Sequence, residues 1–289
     1  MKKLRDYNFV VFGSTGWIGK NFIKYLSEQK CNIFLFSHKS HKKIHINGLT
    51  YKSLPIRNAL DLELGNTVLI DLAFPTREKI DILGNSEYKD QIDELQKIKK
   101  VFLEKNHISQ VFLSSTGAVY KSEDLYSVNK QLEENFYIEY SKKFNFSLDV
   151  ARIFACIGPY YNKHDFYAFS SFMNKAIKGE TIIIKSLREV YRSYIYIPNL
   201  IEFFISNFLN SKIETVQIYD AVQDNLEIRQ LAKIIADTFD VNVDDNYDYK
   251  NENKPDKYLS NDKTLITYLK NQNINPSITE KEILASQIN

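Results

Sequence analysis

The chain has 289 residues, 44% hydrophobic and 26% charged, with a formal net charge of +2. That balance describes an ordinary globule, either one large domain or a domain with an appended lobe. It gives no ground for a nucleic-acid or membrane-surface partner. No apolar run approaches the roughly 18 residues that a spanning helix requires, and Met1-Lys2-Lys3-Leu4-Arg5-Asp6 has no apolar signal core. A cytoplasmic location is expected.

In chain order, the first half alternates short apolar strands with amphipathic helices, the mark of a parallel sheet covered on both faces. Strands are predicted at Phe9–Phe12, Ile33–Phe36, Thr50–Ser53, Thr67–Asp71, Gln110–Ser114 and Ser147–Ile153, with helices at about Gly16–Gln29, Glu87–Asn106 and Tyr126–Phe144. In the last helix Val128, Leu132, Phe136 and Tyr140 recur four apart as one continuous stripe. The rhythm loosens after Arg152. A Gly158-Pro159 turn opens an aromatic stretch, then come a helix to about Lys178 and an extended Thr181–Lys185. Further predictions are an extended Tyr194–Ile197, a helix Leu200–Leu209, a strand Val216–Asp220, and helices Glu227–Phe239 and about Asp262–Asn271. The acidic, Asn-rich Asp240–Lys257 reads as a loop. The expected architecture is α/β: a Rossmann-type doubly wound parallel sheet over 1–156, with about 192–222 returning to it, and a smaller C-terminal substrate-binding lobe from 157–191 and 223–289.

Two motifs carry chemistry. The first strand feeds into Gly13-Ser14-Thr15-Gly16-Trp17-Ile18-Gly19, and a helical pattern follows. Glycines at this spacing permit a tight turn, close approach to a diphosphate and tight helix–strand contact, while the helix N-terminus favours negative charge. All seven residues are therefore candidate dinucleotide contacts. The second motif is Ser114-Ser115-Thr116 at a strand's carboxyl end, followed by Tyr126 and Lys130. Tyr126 and Lys130 lie one helical turn apart on one face, where an ammonium lowers a phenol's pKa and fits it for proton transfer.

On these residues the chain resembles the extended short-chain dehydrogenase/reductase superfamily, in its nucleotide-sugar epimerase, dehydratase and reductase group. Further marks are Leu72-Ala73 after the fourth strand, Arg152-Ile153-Phe154 before Gly158-Pro159, and Arg192-Ser193-Tyr194-Ile195-Tyr196-Ile197. The resemblance implies that Thr116 hydrogen-bonds the sugar, that Tyr126 exchanges the proton, and that Lys130 positions the nicotinamide ribose and tunes Tyr126. It also implies that Arg192 holds the nucleotide diphosphate, with Ser115 beside the sugar and Leu72 and Ala73 beside the cofactor. Asp71 stands where the family often has His; contact with the cofactor ribose and a cap on the strand end are both open. Pairing of the second and third long helices into a homodimer is a further expectation from the resemblance. Departures are a short span from Thr116 to Tyr126, Ala155 for the usual Asn, and Asn199 for the usual Asp.

Within that group, Gly117-Ala118 replaces the acid pair that resembling dehydratases need, leaving hydride chemistry at a sugar carbon. The second strand ends in Phe36-Ser37-His38-Lys39-Ser40-His41-Lys42-Lys43, without the acid of NAD-using members. Ser37, His38 and Lys39 suit a 2′-phosphate, so NADP(H) is favoured and NAD(H) is the alternative. The expected activity is NADPH-dependent reduction of the keto group, at C4, of a nucleotide-linked keto-deoxysugar in surface-polysaccharide sugar biosynthesis. The alternatives are an NAD-dependent 4-epimerase and a non-catalytic dinucleotide sensor. Cys31 and Cys156 are expected as buried free thiols. His164 and Asp165 read as a loop surface pair, Tyr160, Tyr161, Phe166, Tyr167 and Phe169 mostly as lobe core, and no spacing suggests a metal site.

Overall fold

The computed structural model describes residues 2–38, 41–121, 123–161, 167–210, 215–245 and 254–287. The chain divides into two compact units, Met1–Arg152 with Phe204–Tyr219, and Ile153–Phe203 with Asp220–Asn289.

The first unit contains β1 (Asn8–Phe12), α1 (Trp17–Glu28), β2 (Asn32–Ser37), β3 (Lys42–Ile46), β4 (Leu49–Pro55), β5 (Thr67–Asp71), α2 (Glu78–Lys105), β6 (Ile108–Thr116), α3 (Leu125–Phe144) and β7 (Ser147–Ile153). Phe9–Phe12 and all of β5 are buried, as expected for central parallel strands covered on both faces. Parallel pairing sets Phe12 opposite Phe36 on one side and Asp71 on the other. The strand order is β11-β7-β6-β5-β1-β2-β4-β3, where β11 is Val216–Ala221. The order therefore reverses at β1, and the turn after β1 lies at the switch point where open α/β sheets bind ligands. The expected α/β doubly wound sheet is observed.

Three local differences have physical causes. Lys42–Ile46, expected within a basic turn, forms an antiparallel edge strand with β4, closed by Asn47 and Gly48 at φ 50° and 74°. α2 begins at Glu78 because two helical stretches join at Gly84, whose φ of 75° breaks the repeat just before the predicted start. On α3 the apolar stripe faces outward at its start: Val128 is 39% and Leu132 56% exposed, and only Tyr140 is buried. The inward face carries Ser127, Lys130, Glu133, Glu134, Tyr137 and Ser141 instead. An Asp124/Ser127 capping box starts α3 and left-handed Asn145 ends it.

The second unit holds β8 (Ala155–Ile157), α4 (Ala168–Ile177), β9 (Ile182–Ile184), β10 (Val190–Tyr196), β12 (Asp224–Glu227), α6 (Ile228–Phe239), β13 (Val243–Asp245), β14 (Asp256–Tyr258), α7 (Thr264–Asn271) and α8 (Glu280–Ala285). The division between units falls inside α5 (Ile197–Asn210) and inside β11. β10 pairs with β8, β12 and β14. The return to the first unit is thus narrower than the expected 192–222, because β10 completes its own sheet. Residues expected in one loop from Asp240 to Lys257 form β13 and the start of β14. Lys39, His164, Asp165 and Phe166 lie outside the described residues. Cys31 and Cys156 are free thiols, partly exposed rather than buried. Among the described residues no helix is long and apolar enough to cross a membrane.

Candidate active site

The glycine bend is shaped by close backbone approach. Gly13 has φ +81°, and a Cβ there would stand 2.8 Å from the Leu72 carbonyl carbon and oxygen and 3.1 Å from Ala73 N. A Cβ on Gly19 would stand 2.6 Å from Gly13 O. The bend therefore wraps against the end of β5, and α1 starts at Trp17 behind Gly16, which supplies no side-chain cap. Thr15, Gly16, Trp17 and Ile18 remain partly exposed. This cradle fits a dinucleotide diphosphate. Ser14 corrects the expectation of a cofactor contact. Its N–H and hydroxyl both donate to Phe36 O, and the hydroxyl meets Ser53 Oγ at 2.7 Å, so the side chain braces β1 to β2 and β4.

Ser37, the last residue of β2, is buried, and His38 just beyond it is exposed. A cavity of about 330 Å³ opens there, lined by His38, Pro55, Ile56, Arg57, Leu95 and Ile98 among others. Arg57, missed in the sequence, supplies a cation at this rim and pairs with Glu94 at 2.8 Å.

Thr116, Tyr126 and Lys130 come together at the carboxyl end of β6 and the start of α3. Thr116 Oγ1 accepts the Ala118 N–H and is hydrogen-bonded to Tyr126. Tyr126 packs edge-on against Phe74 with ring centres 5.9 Å apart, under the Arg77 guanidinium at 5.5 Å. Burial pushes its phenol up to about 12, opposed by the Thr116 hydrogen bond and Arg77 and reinforced by Glu133 and Glu78. Lys130 donates to Ser114 O and to Glu133 Oε2, both at 2.8 Å, and lies 4.2 Å from the centre of the Phe74 ring.

Two further expectations are corrected. Ser115, expected beside the sugar, is buried and has a protein partner: its hydroxyl donates to Glu134 Oε1, which also accepts from Arg152 Nε at 3.0 Å. Asp71 is 1% exposed and faces the interior, where Lys99 and the Tyr137 hydroxyl donate to it and it caps Ala73 N–H. The strand-cap alternative is the observed one. Burial holds the Asp71 carboxyl above its ordinary value, against the Lys99 cation. Burial also opposes the Glu133 charge, but Lys130 and Lys99 hold that carboxyl below its ordinary value.

Lys99 and Glu133 were missed in the sequence. The available signal was Lys99 on the inward row Ile92–Lys99–Leu103 of α2, facing Asp71, which ends the buried strand after Val68-Leu69-Ile70. In the second unit Arg192 is partly exposed and held by Asp256 Oδ2 at 2.8 Å, with Arg188 3.7 Å from the same oxygen. Among the described residues no group of three or more His, Cys, Asp or Glu could hold a metal ion.

Comparisons with known proteins bear on the fold and the family. No curated protein matches the chain in sequence. The fold is similar to that of UDP-N-acetylglucosamine 4-epimerase from Methanobrevibacter ruminantium M1, in complex with UDP-N-acetylmuramic acid (TM-score 0.69, 18% identity, 99% of this chain and 97% of that one). It is also similar to a tyrosine-to-phenylalanine mutant of Bacillus cereus UDP-glucuronic acid 4-epimerase, in complex with a 4-deoxy-4-fluoro sugar nucleotide and NAD (0.71, 16%, 96% and 97%). A third likeness is dTDP-glucose 4,6-dehydratase from Bacillus anthracis str. Ames, in complex with NAD (0.66, 15%, 97% and 95%). A family model described as NAD dependent epimerase/dehydratase family matches residues 9–219, well over half of the sequence. The chain belongs to the NAD dependent epimerase/dehydratase family.

Proposed function

We propose that the protein is a nucleotide-sugar 4-epimerase that uses a nicotinamide dinucleotide. The observation that carries the reading is the cluster of Thr116, Tyr126 and Lys130 at the end of β6, in a chain whose glycine bend leaves room for a diphosphate against Leu72–Ala73. Two similar structures are 4-epimerases, which favours this reading over the keto-sugar reduction expected first.

The bound dinucleotide would be held by the Gly13–Gly19 bend and the uncapped start of α1, its adenine side in the cavity beside His38 and Ile56. It supplies the hydride exchange at the sugar carbon. Tyr126 holds or moves the proton at the sugar oxygen on that carbon, and Thr116 hydrogen-bonds the same oxygen. With its phenol pushed up to about 12, Tyr126 is protonated at neutral pH, the state that gives a proton to the sugar oxygen when hydride returns to the carbon; the preceding oxidation needs the phenolate, which takes the hydroxyl proton as hydride leaves. Lys130 orients the ribose and supplies a nearby positive charge. Arg192 takes the substrate diphosphate, exchanging Asp256 for it. The exposed Val128 and Leu132 on α3 offer an apolar face for a second copy, and a homodimer is part of the proposal.

Reduction with NADPH is the second reading, favoured by the absence of an acid after β2 and by His38 and Arg57 at the cavity. The test incubates the purified chain with UDP-, dTDP-, GDP- and CDP-linked sugars and follows inversion at C4 by NMR, alongside dinucleotide absorbance. The proposal expects inversion without net dinucleotide consumption, and dinucleotide retained through purification. Stoichiometric NADPH oxidation dependent on a keto sugar would replace it with the reductase. Dinucleotide binding with no turnover on any of these sugars would leave a sensor.

A further inference from the structure

Behind Lys130 the first unit holds an alternating row of buried charges. Glu133 bridges two ammoniums: Oε2 accepts from Lys130 at 2.8 Å and Oε1 from Lys99 at 2.5 Å. Lys99 also donates to Asp71 Oδ2 and to Ala73 O, each at 2.7 Å, which occupies all three of its N–H bonds. Asp71 accepts from the Tyr137 hydroxyl at 2.6 Å and from Ala73 N–H at 3.1 Å. Side-chain exposure is 2% for Lys99, 0% for Asp71 and 9% for Glu133, so water screens these ions little and each depends on the others.

Both ends of the row reach the candidate active site. One end is Lys130 itself. The other clamps the N–H and carbonyl of Ala73, whose nitrogen stands 3.1 Å from where a Cβ on Gly13 would sit. Lys99 touches both sides, the wall of the glycine bend and the carboxylate on Lys130.

Resting on the reading of Tyr126 and Lys130 as the proton-exchanging pair, we propose that Lys99 is a positioning residue for it. Through Glu133, whose charge faces both Lys130 and the Tyr126 phenol, Lys99 sets how much negative charge acts on Tyr126; through Ala73 and Asp71, it fixes the wall against which the dinucleotide lies. Glu133 is shared between two cations and so neutralises Lys130 only in part. Without Lys99, Glu133 belongs to Lys130 alone and Asp71 loses its cation, so a Tyr126 phenolate is harder to form. Without the Glu133 charge, the carboxylate that raises the Tyr126 phenol is gone and the phenolate is easier to form. The other groups facing Tyr126 are Thr116 on β6, Arg77 and Glu78 at the start of α2, Tyr88 within α2, and Asp124 at the cap of α3. Neither substitution alters them.

The experiment titrates phenolate absorbance in the full chain with oxidised dinucleotide bound, as the difference between each protein and its Tyr126→Phe counterpart. Glu133→Gln is expected to move the midpoint down by about 1 pH unit, and Lys99→Met to move it up by a similar amount. The double variant Lys99→Met/Glu133→Gln is expected to fall below the Lys99→Met midpoint. A midpoint that stays at the wild-type value in Glu133→Gln and Lys99→Met overturns the proposal. If Lys99→Met does not fold, Lys99→Gln, which keeps an N–H donor toward Ala73 O, decides: an upward shift supports the proposal, and an unmoved midpoint overturns it. The readout needs no sugar, so failure to turn over any sugar nucleotide would remove the epimerase reading without touching this result.

Discussion

At the residue scale, the glycine bend shows how a sequence pattern becomes a steric requirement. Gly13 combines a positive φ with a backbone wall 2.8 Å from the missing Cβ, whereas Gly48 has a similar φ of 74° and nothing within 4 Å. Gly48→Ala meets only the conformational strain, about 1 kcal/mol. Gly13→Ala also collides with Leu72, so it is expected to cost more in urea unfolding and to lose most dinucleotide affinity in a fluorescence titration. Equal costs at the two positions would contradict the wall.

The same scale explains what the motif could not disclose. The spacing of Gly13, Gly16 and Gly19 is legible because glycine has a conformational role. Ser14 and Ser115 look identical to ligand-contacting serines until their partners, Phe36 O with Ser53 and Glu134, are known. Those partners lie 22, 39 and 19 positions away, beyond any local pattern.

At the scale of elements, α3 and β5 reverse the usual rule by burying charge. Alternation with β5 and α2 makes the arrangement possible, since Asp71, Lys99 and Glu133 each satisfy the next. Losing one member strands the others: Lys99→Met is expected to cost about 3–5 kcal/mol in chemical denaturation. Breaking Arg57–Glu94, whose side chains are 72% and 39% exposed, is expected to cost less than about 1 kcal/mol. Equal losses would mean that the interior row is not a coupled unit.

A second buried acid gives a pH signature. Burial pushes Asp149 on β7 up to about 6, against hydrogen bonds from Asn207 and Gln110. Its folded pKa is raised above the unfolded value of about 4. The folded state therefore binds more protons between those values, and stability from this group falls as pH rises from about 4 to about 6 and is flat above. Two pH units correspond to about 3 kcal/mol. Asp149→Asn is expected to remove that slope from stability measured against pH; a variant with the wild-type slope would contradict the assignment.

For the whole molecule, the alternation of strands and helices is enough to read the sheet. β5 and β7 match the expected Thr67–Asp71 and Ser147–Ile153 to the residue, because each carries an apolar stretch bounded by polar turn residues, although β7 also buries Asp149 in its middle. Long-range partnership is not legible in the same way. β3 hid inside a basic stretch because an edge strand keeps lysines outward, and β10 joined β8, β12 and β14 through pairings that no local pattern encodes. Of the site, Thr116, Tyr126 and Lys130 were visible from spacing, while Lys99 and Arg77 depend on how α2 is placed. The outward stripe at Val128 and Leu132 makes assembly testable: Leu132→Asp is expected to convert a dimer to a monomer in light scattering, and a wild-type chain that is already monomeric would contradict the pairing.

The most direct test of the account is Tyr126→Phe, which removes one hydroxyl and leaves the ring against Phe74. Turnover of the accepted sugar nucleotide is expected to fall about 1,000-fold, with dinucleotide affinity within a few-fold of wild type. Turnover at the wild-type rate would contradict the role of Tyr126 at the sugar carbon.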